Sequence, residues 1–154
     1  MRRILFICHG NICRSTMAES VFHYMVEKAN VHDEVIISSS GTSREEIGNP
    51  VHYGTVDVLK KHDIPVVAHK AKQITLQEIE AYDFLICMDD RNITNLKRIA
   101  PSKYHYKISK LLSYAGSDRN IADPWYSGDF ETTFQDVWEG CLHLFDEVFT
   151  DRCI

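Results

Sequence analysis

Residues 8–15 read Cys-His-Gly-Asn-Ile-Cys-Arg-Ser. The stretch follows the apolar run Ile4 to Ile7 and precedes Met17, Ala18, Val21, Phe22, Met25 and Ala29, which recur at the 3, 4, 7 spacing of a helix with one buried stripe. A buried strand therefore feeds an amphipathic helix, and the connection carries two thiols, an imidazole and a guanidinium. Gly10 permits positive φ and Asn11 tolerates it, so the chain can curl its amides inward. A helix N-terminus presents N–H groups without intrahelical partners and a positive dipole end, and phosphate-sized anions bind there. Arg14 adds a planar fork matched to two oxygens of a tetrahedral oxyanion.

Outward from this stretch, the pattern repeats. Glu34 to Ser39 reads as a second strand closed by Ser40-Gly41-Thr42, and a helix is expected from Val51 to His62 before Ile64-Pro65. The helical stretch Leu76 to Tyr82 enters a third strand, Phe84 to Met88, and Asp89-Asp90 caps a helix that Pro101 stops. Tyr104 to Ile108 is the weakest strand candidate. Ser113 to Asp129 shows no periodicity and is expected to be a loop, which at that length in a compact domain points to function or disorder. A closing helix of about five turns follows, with Phe130, Phe134, Val137, Trp138, Cys141, Leu142, Phe145, Val148 and Phe149 as its core stripe. Alternating strands and helices predict an α/β fold in one domain over residues 1–154, a doubly wound four-stranded parallel sheet with helices on both faces. Ligands of such sheets bind at the carboxyl ends of the strands, where residues 8–15 fall.

The bulk numbers narrow the function. A formal charge of −5 supplies no basic footprint for nucleic acid, so an anionic ligand must be drawn by a local site. No apolar run approaches the roughly 20 residues of a membrane span. Five cysteines, an odd number in a chain of 154 residues, favour free thiols in a reducing compartment, and a cytoplasmic location is expected. No cysteine and histidine pair outside residues 8–15 has zinc-like spacing, and neither the nucleotide-binding GKS/GKT loop nor GxGxxG occurs. The expected chemistry requires no metal and no cofactor.

Cys8 at the bottom of the amide cradle sits where unpaired N–H groups, the helix end and Arg14 all favour thiolate over thiol; a free cysteine, with a pKa of about 8.5, is sparsely ionised at neutral pH. Ser15 can donate its hydroxyl to that sulfur. These features specify attack of sulfur on a bound phosphoryl group. The competing reading of Cys8 is a small buried hydrophobe at a strand end.

FICHGNICRS, together with SSSGT (38–42), AHKAKQI (68–74), FLICMD (84–89) and DPWYSGDFE (123–131), resembles the low-molecular-weight protein tyrosine phosphatase family in order and spacing over essentially the whole chain. The resemblance implies that Cys8 is the nucleophile that becomes phosphocysteine, Arg14 clamps the equatorial oxygens, and Asp123 is the general acid and then the base. His9, Gly10, Asn11, Ile12, Cys13 and Ser15 would form the phosphate loop, with Ser39 and His69 supporting Asn11, and Trp125 and Tyr126 would wall the cleft. The implied partners are a tyrosine-phosphorylated protein or small aryl phosphate, with inorganic phosphate as product, and the chain would act as a monomer or weak homodimer.

Departures from the family pattern are Thr16 in place of a proline, Ser38 for an Asp, Ser40 for an Ala, Lys72 for an Arg, and Glu45 where an aromatic residue is common. Three rivals remain. A protein arginine phosphatase would carry Thr where Ile12 stands, a thiol-dependent arsenate reductase would add a closely spaced cysteine pair, and a non-catalytic phosphotyrosine-binding module would lack Cys8 or Asp123. Cys13 is near enough to Cys8 for a reversible disulfide on oxidation.

Overall fold

The computed structural model describes residues 1–150. Four parallel strands, β1 (Arg2–Cys8), β2 (Val35–Gly41), β3 (Phe84–Cys87) and β4 (Ile108–Lys110), form one sheet in the order β2-β1-β3-β4. The helices are α1 (Arg14–Lys28), α2 (Tyr53–Lys61), α3 (Leu76–Ala81), α4 (Asp90–Ile99), α5 (Pro124–Ser127) and α6 (Phe130–Val148). This is the doubly wound arrangement expected from the sequence.

The period of two along β1 divides the core. Ile4, Phe6 and Cys8 face a layer built from α1, α2 and α6 around Phe22, Leu59 and Cys141. Leu5 and Ile7 face the opposite layer, with Ile79 of α3 and Leu96 of α4. Ile4 to Ile7 are wholly buried, which explains the unbroken apolar run: a central parallel strand has no solvated face. Each such side chain contributes about 1.5–3 kcal/mol of burial. In the chain order, β1 leads through α1 to β2 on one side, and the chain then crosses back to β3 on the other. The carboxyl ends of β1 and β3 thus flank the topological switch.

Three expectations need correction. Residues Ser102–Lys107 form a 3₁₀ helix, and β4 begins only at Ile108. Tyr104 and Tyr106 mimic strand alternation, but Pro101 starts a tight turn in which Tyr104 lies beneath Lys103 and Lys107 while Tyr106 stays exposed. The segment from Ser113 onward is also ordered locally, by a 3₁₀ helix at Leu111–Ala115 and by the short α5. On α6, Leu144 rather than Leu142 is buried. No described helix is long and apolar enough to cross a membrane, and Cys153 lies outside the described residues.

Candidate active site

The turn between β1 and α1 is shaped by where its carbonyls go. The Thr42 and Ser43 amides donate to the Cys8 and His9 carbonyls at 2.9 and 3.1 Å, and the His52 amide donates to the Ile12 carbonyl at 2.9 Å. The Cys13 carbonyl accepts from the Met17 amide at 3.0 Å and from the Thr16 and Thr55 hydroxyls at 3.0 and 3.3 Å. In a trans peptide the carbonyl of one residue and the N–H of the next point opposite ways. Turning those four carbonyls outward therefore turns the amides of His9, Gly10, Cys13 and Arg14 toward the hollow. Asn11 adopts φ 61°, the left-handed conformation that completes the curl. No side chain caps the start of α1, so its first-turn donors add to the cradle. Thr16, a departure from the family pattern, braces the loop through its hydroxyl. Gly41 is required for close approach: a Cβ there would lie 2.7 Å from the His9 carbonyl oxygen.

At the floor lies Cys8, 3% exposed, with its Sγ 3.0 Å from Ser15 Oγ. Asn11 Nδ2 donates to that same hydroxyl oxygen at 2.8 Å, which leaves the Ser15 proton for the sulfur. Behind Asn11, His69 Nε2 lies 2.7 Å from Asn11 Oδ1 and the Lys72 amide donates to the same oxygen at 3.1 Å. Because Asn11 Oδ1 only accepts, His69 is assigned as the Nε2–H tautomer. Burial, reinforced by Lys72, holds the His69 pKa below the ordinary imidazole range and keeps it neutral. Ser39 reaches Asn11 only through His69, at 3.3 Å from Nε2, and donates its own proton to Glu19 Oε1 at 2.5 Å. Burial raises the Glu19 pKa above the usual carboxylate range. Ser40 and Lys72, two further departures, belong together: the Lys72 ammonium donates to Ser40 Oγ at 2.6 Å and pairs with Glu78, and Ser40 donates to the same carboxylate.

Arg14 is fixed from the sheet side. Its Nη1 donates to Asp89 Oδ2 at 2.6 Å and to the Ile121 carbonyl at 2.8 Å, while Nη2 is 3.6 Å from Asp123 Oδ2. Burial alone would lower the Arg14 pKa, but Cys8, Asp89 and Asp123 outweigh it and the net shift is upward. Asp123 caps α5, its Oδ1 accepting from the Trp125 amide at 3.1 Å, which leaves Oδ2 for the cleft. Pro124 at the first helical position and Gly128 in the left-handed conformation bound this single turn.

Residues 8–14, Glu45, Glu46, Asp123, Trp125 and Tyr126 line an open cleft. The sequence-predicted substrate contacts His9 to Cys13, Trp125 and Tyr126 thus reach one place, whereas Ser15, expected among them, is fully buried behind the lining with Ser39 and His69. Cys13 is buried, and burial, with Cys8 and Asp123 adding to it, pushes its pKa up to about 12. Sequence reasoning missed Asp89, Glu19 and His52. Asp89 was legible only as a helix cap, a role it also fills toward Asn92. The His52 ring stacks on Phe130 and meets Trp125 edge-on at 5.5 Å, so one residue ties the turn after β1, through its amide, to the segment that carries Asp123.

A strand-end cysteine in an amide cradle, with an arginine six residues on and a carboxyl from a distant loop on the same cleft, is the equipment of a phosphatase that works through cysteine. Residues 3–152 match the family model described as low molecular weight phosphotyrosine protein phosphatase. The low molecular weight protein-tyrosine-phosphatase YfkJ of Bacillus subtilis is 36% identical over 99% of both chains, and its crystal structure superposes with a TM-score of 0.94 over 98% of this chain and 96% of that one. The human low molecular weight phosphotyrosine protein phosphatase is 38% identical over 91% of each. A Drosophila structure titled as an arginine phosphatase is 28% identical, with a TM-score of 0.86 over 96% of this chain and 98% of its own. The chain belongs to the low molecular weight phosphotyrosine protein phosphatase family.

Proposed function

We propose that this chain hydrolyses phosphotyrosine in proteins, and small aryl phosphates, through a phosphocysteine intermediate. The observation that carries the reading is the convergence of Cys8 Sγ, the inward amides, Arg14 and Asp123 Oδ2 on one cleft. The phosphoryl group sits on the amides with its equatorial oxygens toward Arg14. The Cys8 thiolate attacks phosphorus in line, the S–P bond forms as the P–O(aryl) bond breaks, and Asp123 gives its proton to the departing phenolate. In the second step Asp123, now a carboxylate, takes a proton from water. The resulting oxygen attacks phosphorus, the S–P bond breaks, and inorganic phosphate leaves. Ser15 and Asn11 hold the sulfur's charge as it departs.

Ile12, mostly buried beside Ala71 and Phe130, adds a hydrocarbon surface to the cleft that Trp125 and Tyr126 also line. That suits a phenyl ring better than a guanidinium and supports tyrosine over arginine. Kinetics on a phosphotyrosyl peptide, a phosphoarginyl peptide and p-nitrophenyl phosphate test the choice. The phosphotyrosyl peptide is expected to exceed the phosphoarginyl one by at least about tenfold in kcat/KM, the scale of one well-placed apolar contact; the reverse order would replace this reading with the arginine one.

The four described cysteines are free, the state a reducing compartment maintains, which supports a cytoplasmic location. We further propose that peroxide oxidises Cys8 to the sulfenic acid and that the Cys13 thiol condenses with it, forming the disulfide and releasing water. Wild type inactivated by peroxide is then expected to recover fully with dithiothreitol, and Cys13→Ala to recover only in small part. Equal recovery of the two would remove Cys13 from this role.

A further inference from the structure

We infer that Glu45 makes the cleft selective for phosphotyrosine flanked by lysine or arginine. The inference rests on the phosphatase reading and adds the class of substrate.

Charge is distributed unevenly along the cleft. At the phosphate end Arg14 is 3% exposed and its Nη1 is committed to Asp89. At the mouth, the Glu45 side chain is 71% exposed, and its Oε2 is held 3.1 Å from His9 Nε2, a residue of the phosphate loop itself. That contact keeps the carboxylate over the loop instead of letting it range through solvent. Glu46 adds a second carboxylate on the same wall, steadied by the Asn49 amide at 2.5 Å. On the same lining, Trp125 and Tyr126 present large exposed rings without charge. Among the described residues lining the cleft, only Arg14 and His9 can carry positive charge, since Arg44 is exposed but lies off the lining. The whole chain, at −5, has the same sign as the rim.

A carboxylate and exposed aromatic rings lining one cleft make a receptor for a cation. The acid supplies the charge and the ring faces add cation–π attraction to a lysine or, better, an arginine stem. An acidic neighbour of the phosphotyrosine meets the same carboxylate and is repelled. These contacts are made away from the reacting phosphorus and change little between ground and transition state, so they act on KM and not on kcat. Each exposed pair has a small effect, yet exchanging lysine for glutamate removes an attraction and adds a repulsion. The combined preference is about five- to tenfold at low ionic strength, falling with added salt.

Two phosphotyrosyl peptides that differ only in lysine or glutamate on either side of the phosphotyrosine provide the test, with p-nitrophenyl phosphate alongside and the peptide ratio of kcat/KM read within each enzyme. Wild type is expected to favour the lysine peptide by about five- to tenfold through KM. Glu45→Gln is expected to reduce that ratio about threefold, and Glu45→Lys to reverse it. Because each ratio is internal to one variant, a general loss of activity does not disturb it. A wild-type ratio near one, or a ratio that Glu45→Lys leaves unmoved, overturns the inference while p-nitrophenyl phosphate turnover keeps the phosphatase reading standing. Inertness of wild type toward all three substrates overturns both.

Discussion

Cys8→Ser is expected to lose at least about 10⁴-fold in kcat on p-nitrophenyl phosphate and on phosphotyrosyl peptide, while still binding inorganic phosphate. The reason lies in the immediate surroundings of the sulfur. A serine hydroxyl is a weak nucleophile unless a base takes its proton, and the group hydrogen-bonded at this position is the Ser15 hydroxyl, itself held by the Asn11 amide; neither is a base. The amide cradle, by contrast, is held by carbonyl contacts that do not involve the Cys8 side chain, so the anion site outlives the substitution. Steady-state rates give the first half of the expectation and calorimetric titration with phosphate the second. Equal rates for wild type and Cys8→Ser would end the covalent mechanism.

Asp123→Asn is expected to lose about 10²–10⁴-fold with phenyl phosphate, the usual range for removing a positioned acid. The amide oxygen can still accept from the Trp125 N–H and cap α5, as Asp123 Oδ1 does, so the fold of the loop is retained and only the proton is lost. The deficit should shrink with p-nitrophenyl phosphate, whose phenolate departs without protonation, and at that point hydrolysis of the phosphoenzyme becomes the slow step because the base is missing too. Acid quenching in the steady state should then trap phosphocysteine. A loss of the same size with both substrates would assign Asp123 a structural role instead.

How much of this was legible in the sequence follows from the range of the interactions involved. β1, the loop and α1 could be read directly, since hydrophobic period, Gly10 and Asn11 act within a few residues of one another. Asp123 entered only through the resemblance carried by DPWYSGDFE, because its segment shows no hydrophobic period; Asp123 before Pro124 and Gly128 after Ser127 bound a helical turn too short to display one. What the residues themselves did not disclose were contacts between distant segments. Asp89 looks like any N-cap until the sheet places it 2.6 Å from Arg14 Nη1. Glu19 lies in the stretch of an amphipathic helix and is nonetheless buried against Ser39 and His69. β4 was misplaced because a three-residue edge strand carries too few side chains for a period to emerge, whereas the tyrosines before it imitate one.

The backbone amides of Thr42 and Ser43 grip the turn that carries Cys8, and of the side chains that follow them Glu45 and Glu46 line the cleft while Arg44 faces solvent. The shape of the anion cradle is thus inherited through main-chain atoms that mutation leaves in place, and preference among substrates through side chains that it rewrites freely. An enzyme with this division of labour can drift from one set of client proteins to another in single substitutions, keeping its chemistry throughout.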